Sequence, residues 1–445
     1  MIYHLAIDIG ASSGRHIVAW RENNEMVMKE VYRFQNLPDE IDGHLIWDLD
    51  RLCREVVDGL RASKEAGFVP NTVGIDTWAV DYVLLDVEDE PILPLYCYRD
   101  NRGAVGATAV HNMIPFERLY ERTGIQYQPF NTIYQMYWDK KEGRLDKAAD
   151  FLMLPEYLSF YLSGKKAHEY TNASSTGLMD VRKRTWDVTI IDMLGFPKKL
   201  FETAPIQPPI TLGSLREKIT EQVGFTCEVV LPATHDTASA IAALPKKDSA
   251  YISSGTWSLL GAELLEPITS KEARVANFTN EGGLGSIRFL KNIMGLWLVQ
   301  CLKRELKDEY SFARLAELAE QEANFDYQLD VNAERYLAPK SVMEEITAES
   351  KEKGWPEPKT PGEYAHAIYQ SLAHAYATAL DELESITGQR FLNLCIVGGG
   401  ANNKYLNRLT KKAIGRPLLI GSLEATALGN LLVQEMCELS SRARE

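Results

Sequence analysis

A short pattern occurs twice in this 445-residue chain: a buried strand, a turn of small residues and a second strand. The first copy predicts strands at 3–9 and 16–20, separated by the turn residues 10–15. The second copy predicts strands at 250–253 and 257–264, separated by Ser254-Gly255-Thr256. A chain of this length exceeds one ordinary hydrophobic core, so the repeat predicts two related domains.

Strands alternate with helices along most of the chain, which indicates an α/β architecture. After a strand at 25–34, apolar residues recur at helical spacing over 49–60, and a nearly all-apolar strand follows at 72–78. The region 104–225 is richer in helix. The polar segment Pro245-Lys246-Lys247-Asp248 predicts a boundary between a domain at 1–244 and a domain at 245–445.

Composition disfavours a nucleic-acid partner and a membrane partner. The formal net charge is −14, which disfavours a nucleic-acid partner because such a partner needs a basic face. There is no basic start with an apolar core at the N-terminus, and no apolar stretch of membrane-spanning length. The six cysteines form no C-x-x-C pair and are expected to be reduced thiols. We therefore expect a cytoplasmic enzyme with no membrane partner.

Three turns of small residues are suited to phosphate or nucleotide binding. In the first, Asp8 at the strand end suits Mg²⁺ and Arg15 suits a transferring phosphoryl group. In the second, Thr256 suits donation to a phosphate oxygen. The third, Gly398-Gly399-Gly400, leaves room for a flat ring or a ribose beside a helix N-terminus. The alternative is that all three are ordinary tight turns.

Other polar residues precede helices or end strands. Asp236 follows His235 just before an apolar helix and is either its N-cap or a general base. The segment 74–81 places two carboxylates and a tryptophan at a strand end, which suits a sugar site or a simple polar edge. Asn292 is predicted to begin a helix over about 293–306, and Gln300 to lie two turns further on.

Taken together and in this order, these motifs resemble the FGGY family of carbohydrate kinases over nearly the whole chain. The stretches that carry the resemblance are DIGASSGR (8–15), GIDTWAVDYVLLD (74–86), HDTASA (235–240), YISSGTWSLLG (251–261), TNEGG (279–283), KNIMGLWLVQ (291–300) and IVGGGANN (396–403).

The resemblance implies an actin-like ATPase fold: two ribonuclease-H-like domains flanking a catalytic cleft. It implies that 1–244 binds sugar and phosphate, that 245–445 binds nucleotide, and that MgATP phosphorylates the C1 hydroxyl of a small ketose, L-rhamnulose, in L-rhamnose breakdown. Two alternatives stay open: a kinase for another ketose (L-fuculose, L-ribulose or L-xylulose), and a non-catalytic actin-like ATP-binding protein.

The resemblance also implies roles for individual residues, with Asp236 as the catalytic base. Positions matching sugar contacts are Ala79, His235, Asp236, Thr237 and Asn292. Positions matching nucleotide contacts are Ala11, Ser12, Ser13, Gly14, Arg15, Thr256, Gln300 and Gly399. Asp8 as a Mg²⁺ ligand is inferred from its place at the strand end. Ala79 stands where family members usually have glycine, and its methyl group is expected to narrow the sugar pocket or to shift the substrate preference.

Overall fold

A computed structural model describes residues 1–245, 249–337 and 339–442, with the backbone alone for 438–442. The described residues form two compact units. Unit 1 contains Met1–Ala243, Leu264–Arg288 and the segment from Thr426 onward. Unit 2 contains the described residues of Leu244–Glu263 and Phe289–Ala425. Each unit is therefore built from more than one segment of the chain. Lys246, Lys247 and Asp248 of the predicted boundary turn lie outside the described residues.

The strands, in chain order, are β1 (His4–Ile9), β2 (Ser13–Glu22), β3 (Glu25–Gln35), β4 (Asp39–Ile41), β5 (His44–Trp47), β6 (Thr72–Thr77), β7 (Tyr82–Leu85), β8 (Leu95–Tyr96), β9 (Asp150–Met153), β10 (Met179–Asp180), β11 (Thr185–Trp186), β12 (Ile210–Ser214), β13 (Glu228–Leu231), β14 (Ala250–Ser254), β15 (Trp257–Leu264), β16 (Thr279–Gly282), β17 (Ile287–Met294), β18 (Leu394–Val397) and β19 (Leu418–Ile420).

The helices are α1 (Leu49–Glu65), α2 (Arg102–Met113), α3 (Phe116–Thr123), α4 (Thr132–Lys141), α5 (Arg144–Lys147), α6 (Leu154–Ser163), α7 (Tyr170–Ala173), α8 (Val188–Leu194), α9 (Glu217–Val223), α10 (Asp236–Ala242), α11 (Lys271–Val275), α12 (Trp297–Glu305), α13 (Phe312–Gln321), α14 (Val342–Glu352), α15 (Pro361–Thr387), α16 (Lys404–Ile414) and α17 (Ala425–Arg442). Among the described residues, none of these helices is both long and apolar enough to cross a bilayer.

The sheet of unit 1 has the strand order β12-β13-β6-β1-β2-β3. Strands β1, β2 and β3 lie where the sequence predicted strands and form an antiparallel meander, and β6 pairs with β1 in parallel. Helix α1 packs its apolar stripe on this sheet, with Val56 and Leu60 fully buried. Each such side chain stabilises the fold by about 1.5–3 kcal/mol. The sheet thus gives a rigid platform whose strand ends carry the site residues.

The sheet of unit 2 includes the strand order β17-β15-β14-β18-β19. Strands β14 and β15 are antiparallel neighbours, while β14, β18 and β19 are parallel. Each unit therefore has an antiparallel hairpin, β1–β2 in unit 1 and β14–β15 in unit 2. The first strand of each hairpin pairs in parallel with a later strand, β6 or β18. This shared arrangement agrees with the sequence repeat and with the predicted α/β class.

One predicted helix boundary is wrong. The sequence placed Asn292 at the start of a helix, but the structure has Ile287–Met294 as strand β17, and helix α12 begins only at Trp297. A short apolar run fits a buried strand and a buried helix equally well, so periodicity alone could not separate them. The neighbouring strand β15 decides the outcome, because β17 completes its hydrogen bonding.

Candidate active site

Asp8 and Arg15 face each other across the first hairpin of unit 1. They are register partners on β1 and β2. The guanidinium of Arg15 donates to Oδ2 of Asp8 from Nε at 3.1 Å and from Nη2 at 2.9 Å. A fork of two hydrogen bonds fixes both side chains at the strand ends. The carboxylate and the guanidinium that the sequence assigned to Mg²⁺ and to phosphate are therefore direct neighbours.

The turn of this hairpin is held by its backbone. Gly10 N–H donates to Ser13 O at 2.9 Å, and the buried side chain of Asn36 donates to Gly10 O at 2.9 Å. Ser12 is exposed at the tip, with Ala11 and Ser13 half-buried on either side. Gly14 has a packing reason as well: a Cβ there would overlap the ring of Phe34.

Asp76 brings a second carboxylate beside Asp8. The two are register partners on the parallel strands β1 and β6. Asp76 is fully buried, and its Oδ2 accepts from Asn430 Nδ2 at 2.5 Å. Its Oδ1 has no hydrogen-bond partner within the described part of the chain. Burial and then the charge of Asp8 raise the pKa of Asp76 well above its usual value.

The donor chemistry at these strand ends fits magnesium. Carboxylate oxygens are the ligands this ion prefers, and an unpartnered oxygen on Asp76 lies next to Asp8. Among the described residues, no three His, Cys, Asp or Glu side chains form a group able to hold a metal alone. The carboxylates of Asp8 and Asp76 could therefore supply part of the coordination of such an ion.

Asp236 lies close to the ends of β1 and β6. The residue before it, His235, forms an isolated parallel β-bridge with Thr77 at the end of β6. The Asp236 side chain is 33% exposed. Partial burial, and then the negative charge of Asp8, raise the pKa of Asp236 to about 6. Thr237 Oγ1 opposes this shift by donating to Asp236 Oδ1 at 3.0 Å. A carboxylate with this pKa is ionised at neutral pH and still able to accept a proton.

The N-cap interpretation of Asp236 is corrected. Helix α10 begins at Asp236 itself, and His235 occupies the N-cap position. His235 makes no side-chain capping hydrogen bond in the described structure. The carboxylate of Asp236 is therefore not needed as a helix cap.

A buried ionic chain stands behind His235. Arg288 Nη2 lies 2.9 Å from His235 Nδ1 and 3.1 Å from Glu281 Oε2. On the other side of the ring, His235 Nε2 lies 3.4 Å from Asp236 Oδ1. Burial and the charge of Arg288 hold the pKa of His235 well below its usual value, so the ring is neutral. Neither Glu281 nor Arg288 was among the predicted site residues, although TNEGG had been noted as a motif.

A second buried carboxylate supports the loop before His235. Glu169 Oε2 accepts from Thr234 N–H at 3.1 Å and from Thr234 Oγ1 at 2.7 Å. Its carboxylate also accepts from Thr171 and from Asn172 N–H, and Thr171 Oγ1 lies 3.4 Å from His235 N. Burial raises the pKa of Glu169 to about 7. This network fixes the backbone that delivers His235 and Asp236 to the site.

Ala79 follows the strand end beyond Thr77 and is half-buried. Its neighbour Trp78 donates from Nε1 to Asp81 Oδ2 at 2.9 Å, and Trp47 donates to the same oxygen at 2.8 Å. The Trp47 and Trp78 rings lie 4.7 Å apart between centroids. Burial raises the pKa of Asp81 to about 6, and the two indoles oppose this by hydrogen bonding. Asp81 thus holds the aromatic wall beside Ala79.

In unit 2, two of the predicted nucleotide-binding positions lie at one turn. Thr256 is in the β14–β15 turn, and Gln300 Nε2 lies 3.4 Å from its Oγ1. The backbone of this turn also accepts hydrogen bonds from the segment that begins α12, at Gly255 O and Thr256 O. Gly295 permits this approach, since a Cβ there would lie 2.7 Å from the Trp257 carbonyl carbon.

Two of the three glycines pack against the end of β14, which leads into this turn. Gly398 has φ +83°, and a Cβ there would lie 2.9 Å from Ser254 O. A Cβ on Gly400 would overlap the Ser254 side chain. Gly399 is exposed, and among the described residues nothing lies within 4 Å of a Cβ built on it. Gly398 and Gly400 therefore serve packing, while Gly399 presents bare backbone to solvent.

The remaining prediction, Asn292, lies on β17. Its Oδ1 is buried and has no hydrogen-bond partner among the residues that the structure describes. In unit 1 the structure thus brings together Asp8, Arg15, Asp76, His235, Asp236 and Thr237. In unit 2 it brings together Thr256, Gln300 and the glycine loop. Each of these groupings lies within one unit.

Both parts of the chain match one known family. Residues 3–243 match the N-terminal domain of the FGGY family of carbohydrate kinases, and residues 250–437 match its C-terminal domain. The chain therefore belongs to the FGGY family of carbohydrate kinases. It is an enzyme of the phosphotransferase class.

Among curated proteins, the chain is similar to several rhamnulokinases. It is 46% identical to the rhamnulokinase of Halalkalibacterium halodurans, covering 98% of this chain and 94% of the relative. It is 42% identical to the rhamnulokinase of Bacillus subtilis, covering 98% and 90% respectively.

Solved structures of sugar kinases share the fold at much lower identity. A xylulose kinase from Lactobacillus acidophilus superposes with a TM-score of 0.77 at 16% identity, covering 97% of this chain and 89% of that one. Plasmodium falciparum glycerol kinase with ADP superposes with a TM-score of 0.74 at 14% identity, with the same coverage. These likenesses agree with the predicted actin-like ATPase fold.

Proposed function

We propose that this chain phosphorylates L-rhamnulose at its C1 hydroxyl with MgATP, giving L-rhamnulose 1-phosphate and ADP in L-rhamnose catabolism. The observation that carries the proposal is the Asp236 carboxylate, partly exposed beside His235 and Thr237 with a pKa of about 6. Support for the substrate comes from the rhamnulokinases that match nearly the whole chain at 42–46% identity.

The proposed step is an in-line transfer. The C1 hydroxyl oxygen forms a bond to the γ-phosphorus as the bond from phosphorus to the β–γ bridging oxygen breaks. Asp236 accepts the hydroxyl proton, and ADP takes the electron pair of the broken bond. His235, Thr237, Ala79 and Asn292 are the proposed sugar contacts. Arg15 is suited to stabilise charge on the transferring group.

Nucleotide binding is assigned to the hairpin turn at 11–15 and, in unit 2, to Thr256, Gln300 and Gly399. Thr256 and Gln300 provide a hydroxyl and an amide 3.4 Å apart. Gly399 provides an exposed backbone against which a flat group packs without a side-chain clash. Asp8, with Asp76 next to it, is assigned to hold Mg²⁺. When bound, Mg²⁺ neutralises charge on the β- and γ-phosphates.

The assignment of sugar and phosphate binding to 1–244 and of nucleotide binding to 245–445 is part of the same proposal. It gives acceptor activation to one unit and most nucleotide contacts to the other. A cytoplasmic location also stays a prediction.

A coupled assay of ADP release tests the substrate. The purified chain is offered L-rhamnulose, L-fuculose, L-ribulose and L-xylulose at equal concentration with MgATP. We expect the highest kcat/KM with L-rhamnulose. A higher kcat/KM with one of the other ketoses would reassign the substrate within the family. ATP binding without turnover of any ketose would support the non-catalytic alternative.

The Asp236→Asn variant tests the base. It is expected to lose on the order of 10²-fold or more in kcat, because the proton acceptor is removed without a change in size. Asp192→Asn is the matched control, since Asp192 is an exposed surface partner of Lys198. Near-normal turnover by a correctly folded Asp236→Asn protein would remove Asp236 from the mechanism.

A further inference from the structure

Arg288 is a fully buried guanidinium inside unit 1. Its Nε donates to Gly282 O at 2.7 Å, and its Nη2 is shared between Glu281 Oε2 at 3.1 Å and His235 Nδ1 at 2.9 Å. Burying this charge carries a large desolvation cost that Glu281 only partly offsets. A hydrophobic pair of the same volume would fill the space at a lower desolvation cost. Stability alone therefore does not explain why Arg288 contacts His235.

The contact determines the state of the imidazole. Arginine only donates hydrogen bonds, so the His235 nitrogen at 2.9 Å from Arg288 Nη2 accepts one, and this contact is shorter than the 3.4 Å from the same nitrogen to Glu281 Oε2. Nδ1 therefore carries no proton, and in a neutral ring the proton is on Nε2. Nε2 is the atom that lies 3.4 Å from Asp236 Oδ1. The N–H of His235 is thus on the side of the ring that faces the Asp236 carboxylate, at a distance longer than that of an ordinary hydrogen bond.

We propose that Arg288 is a positioning residue that fixes the tautomer and orientation of His235, so that the ring acts only as a hydrogen-bond donor beside Asp236. The proposal rests on the proposed function, because it assigns a purpose to His235 in sugar phosphorylation. A donor beside Asp236 keeps the substrate hydroxyl or the carboxylate in place. A ring with the opposite tautomer would present a lone pair there and compete with Asp236 for the hydroxyl proton.

The surroundings of His235 favour this state. The charged groups that face it are Asp236 on α10, Glu281 on β16 and Arg288 on β17, with Glu169 fixing the preceding residue, Thr234. Asp8 adds negative charge near Asp236. Two of the nearest three groups are anionic and would favour a protonated ring. Arg288 is the cation that opposes them.

The test replaces the buried pair together, so that no lone charge is left inside the protein. The double variant Glu281→Leu with Arg288→Met removes the donor to Nδ1, introduces no other donor there and keeps side chains of similar size. Its matched control is Arg122→Met with Asp187→Asn, which removes another ion pair of unit 1, with Nε of Arg122 at 2.7 Å from Asp187 Oδ2. A third variant, Arg288→Lys, keeps the positive charge but has a single ammonium group in place of the forked guanidinium.

Two readouts separate positioning from structure. Nitrogen-15 NMR of histidine-labelled protein reports which ring nitrogen of His235 is protonated, with His235→Gln used to assign its signal. We expect Nε2–H in the parent protein from pH 6 to 8, and a tautomer mixture or a protonated ring in the double variant. We expect kcat/KM for L-rhamnulose to fall by at least about tenfold in the double variant and to change little in the control.

Either of two results would overturn the proposal. One is a parent spectrum with the proton on Nδ1. The other is a folded double variant that keeps Nε2–H and parental kcat/KM. The NMR spectrum does not depend on turnover, so it reports the tautomer even if L-rhamnulose is not the substrate. A negative result in the ketose assay would therefore count against the proposed substrate and not against the role of Arg288.

Discussion

Asp8 and Asp76 are paired residue for residue on the parallel strands β1 and β6, with their carboxylates at the same end of the sheet. One of them, Asp8, forms an ion pair with Arg15, while Asp76 is fully buried and hydrogen-bonded to Asn430. The pKa of Asp76 is raised by burial and by Asp8. The folded protein therefore binds a proton at Asp76 more tightly than the unfolded chain does.

This linkage predicts a pH-dependent effect of Asp76→Asn. The stabilising contribution of a raised carboxyl pKa is complete below the unfolded pKa and is lost as the pH rises towards the folded one. Asparagine imitates the protonated form at every pH. The melting temperature of Asp76→Asn relative to the parent is therefore expected to be higher at pH 8 than at pH 5. Asp58→Asn, on a surface ion pair, is the control, and equal effects at the two pH values would contradict the prediction.

The long helices were predictable because their signals are local. In α15, Thr360 and Glu363 form a capping box, Pro361 opens the first turn, and Gly388 closes the end in the left-handed conformation. All four signals lie within the helix or next to it. Hydrophobic spacing between them completes the pattern. The bounds of this helix therefore follow from the sequence with little help from the rest of the fold.

The candidate site was predictable only in part, because its chemistry depends on contacts between distant residues. Arg288 meets His235 across 53 positions of sequence, and Asn430 meets Asp76 across 354. No local pattern encodes such pairs. The strand position of Asn292 was missed for the same reason, since pairing with β15 outweighs a helix-like apolar run.

The acid limb of the pH–rate profile is expected to report Asp236. Its pKa is about 6, and the carboxylate must be ionised to accept the hydroxyl proton. Values of kcat/KM should therefore be constant near neutral pH and fall about tenfold per pH unit well below pH 6. A profile that is flat down to pH 5 would show that another group accepts the proton.

Thr237→Val is expected to shift the acid limb of the pH–rate profile to higher pH. The hydroxyl of Thr237 donates to Asp236 Oδ1 and favours the ionised form. A hydrogen bond to a charged group is worth about 1.5 kcal/mol, so its loss should raise the apparent pKa by about 1 unit. Thr237→Ser keeps the hydroxyl and is the matched control, with the parental profile expected. The measurement is kcat/KM from pH 5 to 8, and an unmoved limb in Thr237→Val would contradict the assignment.

Val80 has φ +73°, a conformation that a β-branched residue rarely adopts. Its carbonyl accepts from Thr132 Oγ1 at 2.8 Å and from Gln135 Nε2 at 3.2 Å, and these bonds hold the backbone next to Ala79. Backbone strain of this kind costs about 1–2 kcal/mol, and glycine does not bear it.

We therefore expect Val80→Gly to be milder than the same change at Val83, another buried valine that lies in strand β7. Val83→Gly should lower the free energy of unfolding by about 2–4 kcal/mol through lost burial and added chain entropy. Val80→Gly should cost about 1–2 kcal/mol less, because relief of strain offsets part of the loss. Chemical unfolding of both variants checks this, and equal losses would argue against strain at Val80.

Neighbouring glycines of unit 2 allow packing and nucleotide binding to be separated. A Cβ on Gly400 would lie 2.6 Å from Ser254 Cβ, a contact that rotation of the hydroxyl does not relieve. Gly400→Ala should therefore lower the melting temperature by several degrees in the absence of ligand, in line with an overpacking cost of about 1–3 kcal/mol. Gly399→Ala should leave that temperature unchanged, because a Cβ there meets nothing within 4 Å among the described residues.

The same Gly399→Ala substitution should weaken ATP binding if the exposed backbone at this position lies against the nucleotide. The added methyl group then stands between the backbone and the bound ring or ribose, and we expect the KM for ATP to rise about tenfold, equivalent to about 1.4 kcal/mol of binding free energy. The KM for the ketose should change little, because no sugar contact is assigned to this loop. Titration calorimetry gives the affinity for ATP, and melting curves on the same preparations give the melting temperature. Steady-state kinetics give the two KM values. If Gly399→Ala keeps the parental ATP affinity, the nucleotide does not bind against the glycine loop. The packing role of Gly400 is tested separately, by the melting temperature of Gly400→Ala.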